Sequence, residues 1–235
     1  MEENNQSNVN AEDIKKEAKE TVNQVKDSFK NVNMKKETEK AKSYFSRMLK
    51  EPVPVIGEIA HDESNSFFKT ALVLLVVWIV ISLVTAIIGL VVSIVRTIFG
   101  IGFEYILQNL LGNIWNIITS VIAPIISVVL LTGVIFLMNK KSKKSFLATF
   151  ATVMAAKIPV VISVIIGLIS FIPYIGRITS PISGVLSIIS TVLAYFAIKE
   201  LNDEATYDGA LKKFIIIEGI FYLVQFVLSF MRIYI

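Results

Sequence analysis

A long apolar run, Phe67 to Val95, constrains this chain more than any other feature of its sequence. A bilayer core about 30 Å thick is crossed by a helix of roughly 20 apolar residues, and in lipid every backbone polar group must be bonded within its own segment. The run is therefore predicted to be a transmembrane helix, long enough to tilt. Four further runs share this character: 114–138, 146–175, 180–198 and 214–235. The predicted fold class is an all-α membrane protein, a five-transmembrane-helix bundle.

Composition divides the chain into a polar part and an apolar part. Hydrophobic residues make up 54% of the chain and charged residues 18%, and many of the charges lie before residue 67. We predict three segments. The first is a charged, amphipathic cytoplasmic arm that is partly helical and partly disordered (1–34), the second is a basic juxtamembrane helix with a proline-containing lead (35–66), and the third is the transmembrane bundle (67–235). The acidic, polar start lacks the apolar core of a cleaved signal peptide, so we expect none.

The residue types that are missing from the sequence exclude several kinds of site. There is no cysteine and one histidine, His61, which excludes disulfides, thiolate chemistry and clustered His or Cys metal ligands. The sequence contains no HExxH, Ser–His pair, Walker loop or Rossmann glycine set. We predict no catalytic, metal or cofactor site and no enzyme activity. A net charge of +4, with its basic part beside a membrane span, favours anionic lipid over nucleic acid as a partner.

Lysines in the short loops predict the orientation, because cytoplasmic loops carry the excess of Lys and Arg. The loop between spans two and three contributes Lys140, Lys141, Lys143 and Lys144, and the loop between spans four and five contributes Lys199, Lys212 and Lys213. The opposite side carries Arg96, Arg177 and Arg232. We predict a multi-pass protein of the cell membrane with a cytoplasmic N-terminus and an external C-terminus. Four spans plus a re-entrant segment would place the C-terminus inside, and the basic residue counts argue against this alternative.

The N-terminal arm contains a narrow helical stripe of apolar residues surrounded by charges. Its members recur at steps of three and four: Ile14, Ala18, Val22, Val25, Phe29 and Val32. The pattern is typical of a weak coiled coil with a protein partner, or of a helix that rests on the membrane. A marginal solvated helix is the alternative, since isolated helices of this kind barely hold in water.

Residues 35–50 have the pattern of a basic interfacial helix. Apolar side chains share one side of it: Ala41, Tyr44, Phe45, Met48 and Leu49. Six basic residues are predicted to bind anionic lipid: Lys35, Lys36, Lys40, Lys42, Arg47 and Lys50. Each is worth about 1 kcal/mol near an anionic surface. A helix free in solution is the alternative, and Pro52 and Pro54 are expected to stop the helix.

Small residues let membrane helices approach closely, and two neighbouring spans carry such residues along one face. We predict that spans three and four pack on each other through these faces. The residues are Thr152, Pro159, Ser163 and Gly167 in span three, and Ser183, Ser187 and Thr191 in span four. This packing interpretation is favoured over a ligand site.

Few ionisable residues lie within the predicted spans: Lys157 and Glu218, with Lys69 at an entrance. Such residues are functional candidates by default. Glu218 follows Lys213 by about one and a half turns, so water at the inner interface can reach it. Lys157 would lie at the bilayer centre if span three were one helix. We favour a helix broken at Pro159, because proline suits a first helical turn and disfavours helical geometry before it. The core span would then be 158–175 and Lys157 would reach the cytoplasmic headgroups. If Lys157 is buried instead, Glu218 is the first candidate partner.

Two short motifs accompany this order of segments. The lead KEPVPVIGEIA, Lys50 to Ala60, precedes the spans, and the entry to span three is marked by Ser145, Phe146, Ala155 and Pro159. With these motifs, roughly residues 45–235 resemble the Yip1-domain family in its bacterial form. The acidic DLYGP-like signature of eukaryotic members is missing, and without cysteine the N-terminal zinc ribbon of many bacterial relatives cannot form. The resemblance implies an integral membrane protein with a role in membrane organisation or assembly, and the GTPase binding of eukaryotic members is not carried over.

Two functional hypotheses are consistent with these patterns. The first is a non-enzymatic membrane-organising or scaffold protein whose basic arm contacts anionic lipid or a protein partner. The second is a small transporter or channel subunit that uses Lys157 and Glu218. Transporters commonly show internal repeats or paired broken helices, and the sequence has no clear repeat, which favours the first hypothesis.

Overall fold

The computed structural model describes residues 33–62, 64–101, 106–139, 144–172, 174–202 and 206–230, with a few positions between 19 and 26. Every regular element in these ranges is helical, as predicted. The helices are α1 (Met34–Lys50), α2 (Pro52–Ala60), α3 (Ser66–Arg96), α4 (Ile106–Met138), α5 (Phe146–Ala156), α6 (Ile158–Gly167), α7 (Gly176–Glu200) and α8 (Tyr207–Ser229). A π-helical turn, Thr97–Ile101, continues α3. The predicted stripe between Ile14 and Val32 lies, apart from Val22 and Val25, outside the described residues.

Three of these helices are long and apolar enough to cross a membrane: Ser66–Phe99, Leu110–Met138 and Gly176–Glu200. α5 and α6 form a fourth candidate, bent by 44° at their junction, as in a broken span or a re-entrant loop. α8 occupies the fifth predicted span, but Lys212, Lys213 and Glu218 interrupt its apolar sequence. The described residues therefore hold three candidate spans, or four with the bent pair, and the count of five stays a prediction.

The helix boundaries differ from the predicted ones at several places, among them the starts of α7 at Gly176, predicted at 180, and of α8 at Tyr207, predicted at 214. α4 begins at Ile106, well before the predicted start of span two at residue 114. α6 ends at Gly167, whereas the predicted core span ran to residue 175. The backbone N–H groups of Leu168, Ile169 and Ser170 each donate to the carbonyl three residues earlier, which tightens the chain into turns and ends the α-helix.

Five helix ends meet at one end of the bundle. The hydroxyl of Ser145, at the start of α5, donates to the side-chain oxygen of Asn65, which directly precedes α3. The ammonium group of Lys213 in α8 donates to Asn139 after α4, at 2.9 Å, and to Asn202 after α7, at 2.8 Å. Lys199 lies near the end of α7, and Lys212 and Lys213 lie near the start of α8. We therefore call this end of the bundle the lysine-rich end.

α5 forms the centre of the bundle at this end. Every residue from Leu147 to Ala156 is buried, and the helix packs against α2, α3, α4 and α7. Many of its side chains are small, which lets the surrounding helices approach closely. Larger contacts are aromatic: Phe150 meets Phe68 edge-on, with ring centroids 5.3 Å apart. A helix this enclosed holds the residues that follow it at a fixed position inside the bundle.

The two N-terminal helices pack onto the bundle. The buried carboxylate of Glu37 in α1 accepts a hydrogen bond of 2.9 Å from the hydroxyl of Thr70 in α3. The ring of Tyr44 packs edge-on against Phe67. α1 ends at Lys50 as predicted, but Pro52 does not end helical structure, since it opens α2, where proline is tolerated at the first helical positions. α2 packs against α5 and α7.

Candidate functional site

A polar cavity of about 230 Å³ lies between the helices, and two of its lining residues, Ser187 and Tyr222, are exposed at the surface of the bundle. Its wall is formed by α3, α4, α6, α7, α8 and the junction between α5 and α6. The polar lining residues are Ser127, Lys157, Ser187, Ser190, Thr191, Glu218, Tyr222 and Gln225, and the apolar ones are Trp78, Val160, Ala194 and Phe221. Lys157 and Glu218 therefore line the same cavity, together with hydroxyl, amide and aromatic groups.

The cavity lies well inside the apolar part of the helices. On each wall, a lining residue lies about ten to twelve residues from the lysine-rich end, or roughly 15–18 Å at about 1.5 Å per residue. These residues are Trp78, Ser127, Lys157, Ser190 and Glu218. The cavity is thus far from the lysine-rich end, at a depth where polar groups are costly without partners.

The break between α5 and α6 explains how Lys157 enters the wall. Pro159 has no backbone N–H to continue the helical ladder, and the N–H groups of Val160 and Val161 both donate to the carbonyl of Lys157. The carbonyl of Ala156 is thereby released, and the hydroxyl of Ser190 in α7 donates to it at 2.9 Å. The break occurs where the sequence predicts it, and a neighbouring helix satisfies the freed backbone group.

Lys157 lines the cavity about eleven residues from the lysine-rich end, a position that does not favour contact with cytoplasmic headgroups, which stays a prediction. Its ammonium nitrogen lies 4.9 Å from the ring centroid of Phe221 in α8. A cation over an aromatic face is attracted by the negative ring quadrupole, worth about 2 kcal/mol when desolvated. The ring of Phe221 in α8 therefore lies beside the α5–α6 junction, within reach of the Lys157 side chain.

Glu218 shares the cavity with Lys157 but does not contact it directly. The ion pairs within 4.0 Å in the described part of the chain are Lys40–Glu37, Arg47–Glu58 and His61–Glu200. Neither Glu218 nor Lys157 forms a side-chain hydrogen bond to any residue in the described ranges. A carboxylate and an ammonium group in a bundle interior need close partners to offset desolvation, and here water or a ligand must provide them.

Five hydroxyl groups, of Ser127, Ser187, Ser190, Thr191 and Tyr222, and the amide of Gln225 complete the polar lining. The hydroxyl of Ser190 donates to the carbonyl of Ala156, and the hydroxyl of Thr191 donates to the carbonyl of Ser187 within its own helix. Within the described ranges, the side chains of Ser127, Ser187 and Gln225 have no hydrogen-bond partner. These groups can donate to or accept from a molecule in the cavity.

Several lining residues were not predicted from the sequence, although one signal was available. Phe221, Tyr222 and Gln225 lie on the same helix face as Glu218, which the sequence did predict and which is the only acidic residue of the apolar run from residue 214. Trp78 and Ser127 carry no comparable signal, because apolar spans contain such residues on any face.

The predicted small-residue contact between spans three and four is present, but its residues differ. α6 and α7 pack against each other, and α5 also contacts α7. On span three, Thr152 and Pro159 are buried, whereas Ser163 and Gly167 are half-buried. On α7, Ser190 is buried, Ser183 and Thr191 are half-buried and Ser187 is exposed. Ser187, Ser190 and Thr191 all line the cavity. The face of α7 that contacts α5 is therefore rotated from the predicted one.

The predicted lipid-binding helix, α1, uses its apolar side for protein contacts. Ala41 and Met48 are buried in the bundle. Of the basic residues, Lys40 pairs with Glu37 at 3.3 Å, and Arg47 forms a two-pronged bridge to Glu58 that raises its pKa. Four lysines are exposed: Lys35, Lys36, Lys42 and Lys50. Lipid binding by these lysines stays a prediction.

No family model, no curated protein and no solved structure matches this chain. The resemblance to the Yip1-domain family therefore stays a prediction, and the function is argued from the geometry of the cavity.

Proposed function

We propose that this chain is an integral membrane protein that binds a small polar solute or ion in the cavity and moves it across the bilayer. One observation carries this proposal: Lys157 and Glu218 line the same interior cavity, and neither has a direct hydrogen bond or ion pair within the described residues. This is the transporter or channel hypothesis, which the charged pair now favours over a purely structural role.

Energetics support a ligand role for these charges. A lysine or carboxylate at the centre of a bilayer costs at least about 2.5 kcal/mol, and a bundle gains nothing from two such groups that do not pair. Replacement of buried ionic groups by apolar residues is often neutral or stabilising. A role in binding accounts for both groups, because a polar solute or ion supplies the missing partners.

The broken helix is the second support for a binding role. Discontinuous helices at mid-depth are the usual frame of solute sites in membrane transporters, because irregular backbone is tolerated where it lines a cavity. Here the junction at Lys157 opens onto the cavity, and the bend between α5 and α6 is 44°. The break thus presents the lysine to the interior.

The topology that fits this function has five passes, with α8 as the fifth and the lysine-rich end in the cytoplasm. Lys212 and Lys213 lie near the start of α8, where lysine side chains reach the headgroups while their stems stay in apolar surroundings. Glu218 is then the one charged residue left within the apolar part of α8. In this arrangement the N-terminus is cytoplasmic and the C-terminus is external.

Solute flux into liposomes tests the proposal. The purified protein is reconstituted, and the re-swelling of the liposomes is followed by light scattering after a step in glycerol, urea, glycine betaine or potassium chloride. We expect at least one of these to enter faster than in protein-free liposomes. Lys157→Ala and Glu218→Gln should remove the increase.

Val185→Ala is the matched control, because Val185 is 56% exposed on the outside of the same bundle and should leave the flux unchanged. If no solute in the panel enters faster than without protein, the transport proposal is wrong. If flux persists in both charge variants, the cavity is not its path.

A membrane-organising role remains the second candidate, favoured by the four exposed lysines of α1 and by the Yip1-domain resemblance. Replacement of Lys35, Lys36, Lys42 and Lys50 by glutamine tests it in the full chain. We expect weaker crosslinking of the arm to anionic lipid or to a protein partner in cells. Unchanged crosslinking would contradict a role for these lysines.

A further inference from the structure

The cavity offers one positive and one negative group, held apart on different helices. Lys157 is positioned by the α5–α6 junction and Glu218 by α8, and the two do not form an ion pair within 4.0 Å. The ammonium group of Lys157 has the ring of Phe221 as its aromatic partner. With both groups ionised these two charges sum to zero, but within the described residues neither has a partner of the opposite sign within 4.0 Å.

From this arrangement we infer that the ligand is a small zwitterion, a molecule with one carboxylate and one ammonium or quaternary ammonium group. The inference rests on the proposed function and adds the chemical class of the solute. A single anion would compensate Lys157 and leave Glu218 unpaired, and a single cation would do the reverse. A zwitterion compensates both at once and keeps the occupied cavity neutral, which a low-dielectric interior requires.

The remaining lining residues match the two ends of such a molecule. Glu218 and Tyr222 lie one helical turn apart on α8, so a carboxylate and an aromatic ring adjoin on one wall. Together they suit a cationic group, since ring faces attract ammonium and quaternary ammonium ions. Lys157 and the hydroxyls of Ser127 and Ser187, which come from other elements of the lining, can donate hydrogen bonds to a carboxylate.

The volume limits the size of the ligand. A cavity of about 230 Å³ holds several water molecules or one small solute such as an amino acid or a betaine. Peptides and lipids exceed this space. The expected ligands are therefore compact zwitterions without a large side chain.

Binding is tested with glycine betaine and glycine as probes. The chain has two tryptophans, and Trp78 lines the cavity, so a Trp115→Phe variant reports from Trp78 alone. We expect a saturable change in its fluorescence with either zwitterion. Acetate and tetramethylammonium, which each carry one of the two charges, should bind at least tenfold more weakly.

Charge variants give the second arm of the experiment. In the same background, Lys157→Met and Glu218→Gln should each weaken zwitterion binding at least tenfold, and Val185→Ala should not.

Flux of the same four probes is then measured in liposomes that contain the full chain. Entry of acetate or tetramethylammonium without entry of zwitterions would overturn the zwitterion inference and leave the transport proposal standing. Saturable zwitterion binding without any flux would support the inference and contradict transport. If no probe binds and none enters, both are wrong.

Discussion

The hydroxyl of Ser190 in α7 donates a hydrogen bond of 2.9 Å to the carbonyl oxygen of Ala156, the last residue of α5. The break at Lys157 would otherwise leave this carbonyl without a donor inside the bundle. The bond therefore links the broken helix to its neighbour and fixes the junction from which Lys157 enters the cavity.

Removal of this hydroxyl should destabilise the protein. We expect Ser190→Ala to lower the free energy of unfolding by about 0.6 kcal/mol, and by no more than roughly 2 kcal/mol, the range of interhelical hydrogen bonds in membrane proteins. Thermal unfolding in detergent, followed by circular dichroism, measures the change. Ser183→Ala on the same helix is the control, since the Ser183 hydroxyl has no hydrogen-bond partner in the described part of the chain. Equal midpoints for the two variants would contradict a role for the Ser190 bond.

The buried hydrogen bond between Thr70 and Glu37 should hold α1 on the bundle. Thr70→Val keeps the side-chain shape but removes the donor, and a hydrogen bond to a charged group contributes about 1.5–3 kcal/mol. We expect the amides of residues 34–50 to exchange with deuterium at least about tenfold faster, while those of α5 and α7 stay protected. Glu39→Ala, on the exposed side of α1, should change neither. Unaltered exchange in α1 after Thr70→Val would show that other contacts hold the helix.

Asp62 should make the stability of α3 depend on pH. Its carboxylate accepts hydrogen bonds from the backbone of Ser66, at 2.7 Å, and of Ser64, at 3.0 Å. Burial raises the pKa of Asp62, but the hydrogen bonds from Ser64 and Ser66 outweigh it and bring the pKa below its ordinary value. Because the folded pKa is lowered, this stabilisation is complete above the unfolded pKa of about 3.9 and is lost as the pH falls through the folded value.

Asp62→Ala should therefore lower the free energy of unfolding at pH 7 by about 1 kcal/mol, as the loss of a helix cap does. The difference from the unaltered protein should shrink at about pH 3, because protonation removes the same charge. Thermal midpoints at both pH values measure the two differences. Glu39→Ala serves as a control for a general loss of negative charge. An equal gap at pH 7 and pH 3 would exclude the ionised carboxylate as the cause.

Two glycines of α7 should respond in opposite directions to alanine. A Cβ atom at Gly176 would lie 3.0 Å from the backbone oxygen of Ser170, whereas one at Gly184 would meet nothing within 4 Å. Gly184→Ala should stabilise the helix by about 0.5–1 kcal/mol through lower backbone entropy in the unfolded chain. Gly176→Ala should lower the thermal midpoint. A rise in both midpoints would mean that the turn before α7 adjusts without cost.

The helices and the break were predictable because their signals are local. The apolar runs predict α3, α4 and α7 to within a few residues at most ends, and Pro159 predicts the break between α5 and α6. The start of α4 at Ile106 was not predicted, because glycines and Glu104 interrupt the apolar sequence of residues 96–113. The early end of α6 depends on turns after Gly167 that periodicity does not reveal.

The site was predictable as two residues but not as a cavity. Lys157 and Glu218 are recognisable as charges in apolar runs. That they line one cavity depends on how α8 packs beside the α5–α6 junction, and no local sequence pattern predicts this packing. The orientation of α7 that brings Ser190 to α5 also depends on packing between helices, so the sequence does not predict it either. For α1, the amphipathic pattern is equally suited to a bilayer surface and to a protein surface, and the packing of Tyr44 on Phe67 selects the protein.

Thiol labelling tests most directly whether Lys157 and Glu218 line a cavity that water can reach within the membrane-embedded bundle. The chain contains no cysteine, so Ser187→Cys in the cavity wall and Val185→Cys on the outer surface each introduce one thiol. Charged methanethiosulfonate reagents react with the thiolate, which forms in water and not in lipid. In intact membranes we predict labelling of Ser187→Cys and none of Val185→Cys, with both labelled after denaturation. An unlabelled Ser187→Cys in intact membranes, with full labelling after denaturation, would contradict a water-filled site around Lys157 and Glu218.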